Sequence, residues 1–478
     1  MKQTSLLFIT GLIVMFWSCS PANQKEHTDQ KGGVEPVYSQ EVMKKKVQEF
    51  KTVSLKPDVS HLSKDQRKML GKLIEVAHIM DDIFWKQSYG DKEKLMQQVD
   101  NETVKQFIEI NYGPWERLNG NKPFLKEVGP KPEGAQFYPE DMTKEEFRNF
   151  KAEDKTSLYT LIRRNDDGEL YTIPYSEAYG KQHKRAARLL REAAELAESD
   201  GFKKYLKLRA EALLTDEYYE SDVAWMEMKD NAIDFVVGPI ENYEDGLFNY
   251  KTAHEAFILI KDQDWSKKLN RYASLLPDLQ NALPVPAKYK AEEPGRDSDL
   301  GAYEVMYYAG DCNAGSKTIA INLPNDPKVR AYKGSRKLQL KNAIKAKFDE
   351  ILMPIGNLLM AKEQRKHLSF DAFFENTMFH EVAHGLGIDQ TVNGNGSVRE
   401  ALKEHYSAIE ESKADIVGLF VVTKLNEMGE FKNKDLMDNY VTFMASIFRS
   451  VRFGVASSHG KANMIRFNYF LEQKAFTR

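Results

Sequence analysis

FFENTMFHEVAHGLG, residues 373–387, is the stretch on which the reading of this chain turns. His380 and His384 stand four apart in it, so on an α-helix their imidazoles share one face, about 40° apart around the axis. Two nitrogens so placed can reach one tetrahedral zinc at about 2.0–2.1 Å. Glu381 sits about 100° round from His380, off the ligand direction but beside the metal. A carboxylate there can act as general base toward a zinc-bound water. Phe374 and Met378 are free to pack the far side into a core, and Gly385 and Gly387 end the helix just past the second histidine.

A catalytic zinc needs a third protein ligand and an open position. Downstream, Val398–Lys424 reads as one long helix whose middle carries Glu410-Glu411-Ser412-Lys413-Ala414-Asp415. Glu411 and Asp415 are again four apart and share a face. Glu411 suits the third ligand, and Asp415 or Glu410 suits a carboxylate that accepts the free N–H of a ligating histidine. Ala414, Ile416, Val417 and Gly418 surround them with small and apolar residues, a composition for burial, and buried carboxylates want a cation. His405 lies about 240° round the same helix from Glu411 and is poorly placed as a ligand. One zinc per chain is expected.

The remainder of the chain sets the context. At 478 residues it can bury a full core in two domains or in one two-lobed body. Lys and Arg (68) nearly balance Asp and Glu (71), so nothing in the charge points to nucleic acid as a partner. Leu6–Trp17 is apolar, too short to span a bilayer comfortably, and follows Lys2, the pattern of an export signal over 1–18. Cys19 falls where a lipidated cysteine would become the mature N-terminus, with 19–39 as a polar tether. The expectation is an exported, membrane-anchored lipoprotein, with plain secretion as the alternative. The one other cysteine, Cys312, has no partner for a disulfide and suits a small buried side chain.

Helical periodicity marks Gln40–Ser54, Lys64–Trp85, Lys92–Ile110 and Glu177–Leu213, and Thr143 with Glu146 opens another helix. Short strands are expected at Leu300–Tyr308 and Thr318–Leu323, around the turn Gly310–Gly315. Leu276–Gly295, with four prolines, is the expected boundary between an N-terminal, mostly helical lobe (40–290) and a catalytic region (291–478). The fold class is mainly α with a smaller β component.

The zinc-helix pair together resembles the dipeptidyl-peptidase III family of zinc exopeptidases, in particular its divergent branch fused to Nudix domains. Ile321-Asn322-Leu323-Pro324-Asn325-Asp326 is similar to the family's Asn-x-Pro-Asn segment, with Arg330, Gly334, Leu340 and Asn342 at matching intervals. Glu241-Asn242-Tyr243-Glu244-Asp245 looks like its Glu-x-Tyr-x-Asp, and Glu255-Ala256-Phe257 like its Glu-Gly-Phe. The likeness runs from about Gly238 onward. It departs from the family in the spacing of the histidines, where the family has one more residue, and in a shorter interval to Glu411.

The resemblance implies a two-lobed body with an inter-lobe cleft and the release of dipeptides from the N-termini of oligopeptides. It implies that Glu241, Asn322 and Asn325 hold the substrate's N-terminal end, that Tyr243 polarises the scissile carbonyl, and that His459 stabilises the oxyanion. Read locally, Tyr243 also fits a half-buried packing residue, Glu241 a surface carboxylate, the two asparagines turn residues, and His459 a surface loop between helices. The competing functions are a zinc aminopeptidase or endopeptidase with the same site, and a peptide-binding lipoprotein without turnover.

Overall fold

A computed structural model describes residues 34–290, 298–431, 433–451, 454 and 457–477. The expected export segment and Cys19 lie outside them. The end of the expected tether does not hang free: Val34 N–H donates to Gln98 O at 2.7 Å and Val37 N–H to Phe124 O at 2.9 Å. Among the described residues no helix is long and apolar enough to cross a membrane.

Two short hairpins precede the main sheet, whose five strands are labelled β1 (Ile233–Glu241), β2 (Ala253–Lys261), β3 (Ser298–Gly310), β4 (Ala320–Leu323) and β5 (Ser335–Leu340). Their spatial order is β1-β2-β3-β5-β4, antiparallel except for the β3–β5 pair. Sequence periodicity points only to parts of β3 and β4. Strands β1 and β2 are buried almost throughout, so they read as continuous apolar runs without alternation. The pair Gly238-Pro239, a turn signal by composition, lies inside β1, where the register slips between Pro239 and Glu241. A bulge absorbs the irregular backbone there.

The helices that matter here are α1 (Lys64–Ser88), α2 (Gly180–Ala194), α3 (Asp200–Thr215), α4 (Phe370–Ala383), α5 (Tyr406–Glu427), α6 (Leu436–Val451) and α7 (Ser458–Glu472). α1 starts at a capping box in which Ser63 and Gln66 satisfy each other's backbone N–H. Its Leu73, Val76, Ala77, Met80, Ile83 and Phe84, at three-and-four spacing, are fully buried. The expected run Glu177–Leu213 is interrupted between α2 and α3, and Gln40–Ser54 is helical only to Gln48. Val398–Lys424 is not one helix either: it breaks around Lys403, at a φ of 50°, and restarts as α5.

Two apolar clusters form, and the fold is mainly α with a smaller sheet, in two lobes. The first joins α1, α2, α3 and most of the sheet. The second gathers Trp265, Leu279, Phe348, Phe374, Met378, Phe379, Val421, Val422 and Ala445. Phe374 and Met378, both fully buried, are the far side of α4, each stabilising by about 1.5–3 kcal/mol. Residue 290 does not separate the clusters, since β1 and β2 pair with β3 in one sheet and Trp265 and Leu279 pack with α4. Cys312 is buried, its Sγ 3.2 Å from Ala309 O. His254 and Glu255 are core residues, His254 Nε2 lying 2.9 Å from His183 Nε2.

Candidate metal centre and substrate cavity

α4 ends with His384 as its C-cap, so the two histidines occupy its last turn. α5 packs against it, and the contacts run in opposite chain directions: His380 meets Asp415, whereas His384 meets Glu410. Gly418 makes the approach possible. A Cβ there would stand 2.9 Å from His380 N and 3.0 Å from Phe379 C, so only a bare backbone fits.

Three donor atoms converge. His380 Nε2 is 3.2 Å from His384 Nε2 and 3.3 Å from Glu411 Oε2. Donors bound to one tetrahedral zinc at about 2.05 Å stand about 3.3 Å from each other, which these separations match. Glu411 Oε2 is buried and takes no well-directed hydrogen bond, although His380 Nε2 and His459 Nδ1 stand 3.3 and 3.1 Å away. A buried acceptor left in this way fits a cation. The donor set His, His, Glu is one that zinc takes in catalytic sites.

The surrounding groups orient the donors. His380 Nδ1 lies 2.7 Å from Asp415 Oδ1 and His384 Nδ1 2.8 Å from Glu410 Oε1. A carboxylate only accepts, so each Nδ1 carries the proton and each Nε2 is left with its lone pair for a metal. Asp415 is held in turn by Arg466 of α7, at 2.5 Å. Lys413 Nζ lies 2.9 Å from Glu410 Oε1 and donates to Leu386 O at 3.0 Å. It thereby satisfies a carbonyl just beyond the C-terminus of α4. Without a metal, burial lowers the His380 pKa, but the hydrogen bond to Asp415 and the nearby Glu411 carboxylate outweigh it and push it up to about 10. Burial raises the Glu411 pKa, and the imidazoles of His380 and His459 more than offset that, holding it well below the usual carboxylate range. The surroundings favour positive charge at His380.

Glu381, next to the first donor, keeps a quarter of its side chain exposed. His459 is placed differently from its expected loop between helices: it lies in the first turn of α7, capped by Ser457, with its ring 6.1 Å from that of His380.

A second group of residues gathers elsewhere. Glu241, Tyr243 and Asn325 line a cavity of about 310 Å³ on the sheet lobe, which none of the three metal donors lines. Asn325 Nδ2 donates to Glu241 Oε2 at 3.2 Å and to Ile240 O at 3.1 Å. Burial raises the Glu241 pKa against the opposing bond from Asn325. Tyr243 is 77% exposed, which removes the packing-residue reading. Its display follows from its neighbours: Glu244 is buried between Arg117 (2.7 Å) and Lys131 (2.9 Å). Asp245, also buried, accepts Tyr138 Oη at 2.7 Å and backbone N–H groups from Leu247 to Lys251. Among the described residues no hydrogen bond or ion pair joins Tyr243 to the metal donors. Asn322 is exposed on β4, directly opposite Lys337 of β5.

A model of peptidase family M49 matches residues 142–395, more than half of the chain. The chain belongs to peptidase family M49. M49 enzymes are metallopeptidases, in keeping with the donor set above. Over 91% of its length the chain is 34% identical to Nudix hydrolase 3 of Arabidopsis thaliana, and it spans 64% of that protein. Dipeptidyl peptidase 3 of Dictyostelium discoideum is 25% identical over 38% of the chain, which spans 26% of it. Among solved structures, DPP III from Caldithrix abyssi is similar at a TM-score of 0.87 and 43% identity, over 91% of this chain and 85% of that one. Dipeptidyl-peptidase III from Corallococcus sp. strain EGB is similar at 0.75 and 38%, over 90% and 83%.

Within the M49 site, sequence reasoning did not single out Arg466 or Lys337. Each lies far along the chain from the residue it touches, and neither belongs to a motif. Lys413 stood inside the quoted motif, but nothing in its spacing foretold that it would reach back to α4.

Proposed function

We propose that this chain is a zinc-dependent peptidase that releases dipeptides from the N-termini of oligopeptides. The observation that carries the reading is the convergence of donor atoms of His380, His384 and Glu411 within 4.8 Å of one another, two of the separations near 3.3 Å, next to Glu381 in the chain. A zinc ion held there would supply Lewis acidity for the scissile carbonyl and lower the pKa of a water toward about 7. Glu381 takes a proton from the attacking water at its carboxylate and later returns it to the leaving amine. His459, beside Glu411, is placed to donate to the developing oxyanion.

The cavity on the sheet lobe supports the dipeptidyl part. Its partly buried Glu241 carboxylate, bonded to Asn325, suits a substrate ammonium as counter-charge. Asn322, exposed on the strand just before Asn325, offers an amide to a peptide backbone. Tyr243 would act on the scissile carbonyl after a closure that brings its exposed phenol toward the metal donors. Both relatives described as dipeptidyl-peptidase III structures share the fold over nine-tenths of this chain.

Mass spectrometry of an oligopeptide digest, with and without a chelator, tests the reading. Successive loss of dipeptides, abolished by the chelator, is the expected result. Single residues would indicate an aminopeptidase, internal fragments an endopeptidase, and tight binding without cleavage a peptide-capturing protein. Export with a lipid on Cys19 remains proposed from Leu6–Trp17 and is checked by metabolic labelling with a fatty acid in wild type and Cys19→Ala.

A further inference from the structure

Strand β5 sends successive side chains to opposite faces of the sheet. Arg336 points into the first lobe, where it meets Asp234 at 3.2 Å, Trp225 O at 3.0 Å and Tyr303 Oη at 2.9 Å. Lys337 therefore points the other way, toward α4. Its Nζ donates to Glu381 O at 2.9 Å and lies 3.8 Å from Glu381 Oε2, with 11% of the side chain exposed.

The carbonyl it takes is a particular one. The final turn of a helix leaves its last carbonyls without intrahelical partners. In α4, His380 O accepts from His384 N, Val382 O from Gly385 N and Ala383 O from Leu386 N. The carbonyl between them, that of Glu381, accepts from Lys337. The strand thus completes the turn that carries the general base. On the same sheet face, directly across the β4–β5 ladder, sits Asn322.

We propose that Lys337 is a positioning residue: it fixes the backbone of Glu381 and orients its carboxylate, and it ties the strand pair that carries Asn322 to the catalytic helix. This rests on the peptidase reading of the site. A cation suits the place better than a neutral donor because one ammonium serves both a carbonyl and a nearby carboxylate. Burial lowers the Lys337 pKa, and the nearby Glu381 carboxylate opposes that.

The test compares wild type, Lys337→Met and Lys337→Arg in chelator-sensitive dipeptide release, with zinc content and melting temperature measured on each. Lys337→Met should keep its zinc and its fold and lose about tenfold or more in kcat, since small misplacements of a catalytic group cost that much. KM should stay within about threefold, because substrate contacts remain. Lys337→Arg should recover most of the loss, and Lys337→Met added to Glu381→Gln should cost nothing further. Wild-type kcat in Lys337→Met would overturn the proposal. So would a matching loss of zinc or stability, or a full additional loss in the Glu381→Gln background. If Lys337→Met does not fold, Lys337→Gln is measured in its place against the same outcomes. A wild-type chain that binds zinc but cleaves no peptide would sink the peptidase reading itself, a failure separable from any of these.

Discussion

Asp415 Oδ1 accepts His380 Nδ1–H at 2.7 Å, while Arg466 holds its other oxygen at 2.5 Å. The first contact fixes which imidazole nitrogen faces the metal position, and the second fixes the carboxylate that does the fixing. Asp415 is not among the three converging donors, yet it orients one of them.

That relationship gives the first expectation. Asp415→Asn offers an amide that can point its N–H₂ at the imidazole and so weaken the tautomer. Zinc affinity, measured by competition with a chromophoric chelator, should fall about 10- to 100-fold. An unchanged affinity would show that Arg466 and packing hold His380 without the carboxylate.

Glu381→Gln removes the base and keeps the size. The protein should bind zinc stoichiometrically and lose about 10²–10⁴-fold in turnover. Metal analysis alongside steady-state kinetics decides the matter; full activity in this variant would reject the mechanism.

Gly418→Ala places a methyl against the backbone of Phe379 and His380. The two helices must move apart, so the variant should lose about 1–3 kcal/mol of stability. Zinc affinity should fall with it, because Glu411 rides on the displaced helix. Urea unfolding of the apo form separates the first effect from the second.

The buried pair His183 and His254 predicts an acid-sensitive sheet lobe. Burial holds the His183 pKa down at about 4, against an ordinary 6.5, and lowers that of His254 as well. A folded-state pKa below the unfolded one means that the unfolded chain binds more protons in between. The pair's stabilisation is thus present above pH 6.5 and lost as pH falls toward 4, with His183 alone accounting for roughly 3 kcal/mol. Urea midpoints from pH 7.5 to 4.5 should drop in wild type and drop less in the His183→Gln/His254→Gln variant. Parallel slopes would exclude the pair as the cause.

Glu241→Gln should act on substrate capture. It removes the charge facing the cavity but leaves the metal centre intact, so KM for a free N-terminus should rise about tenfold or more, the worth of one lost charge-assisted hydrogen bond. An N-acetylated substrate, which has no ammonium, should be cleaved equally poorly by both proteins.

What the sequence determined by itself is a candidate donor set, His380, His384 and Glu411, with Asp415 beside it. These residues are legible because four residues make about one helical turn, a relation fixed by backbone geometry wherever the helix lies. Helices such as α1 were legible for the same reason, and strands β1 and β2 were not, because burial on both faces erases alternation. Only the tertiary structure decided that α5 meets α4 at a bare glycine, that Arg466 and Lys337 complete the site, and that Glu241 and Asn325 share a cavity apart from the metal donors. Those contacts join residues 35 to 84 positions apart. They are set by the packing of two whole cores, which no local spacing encodes.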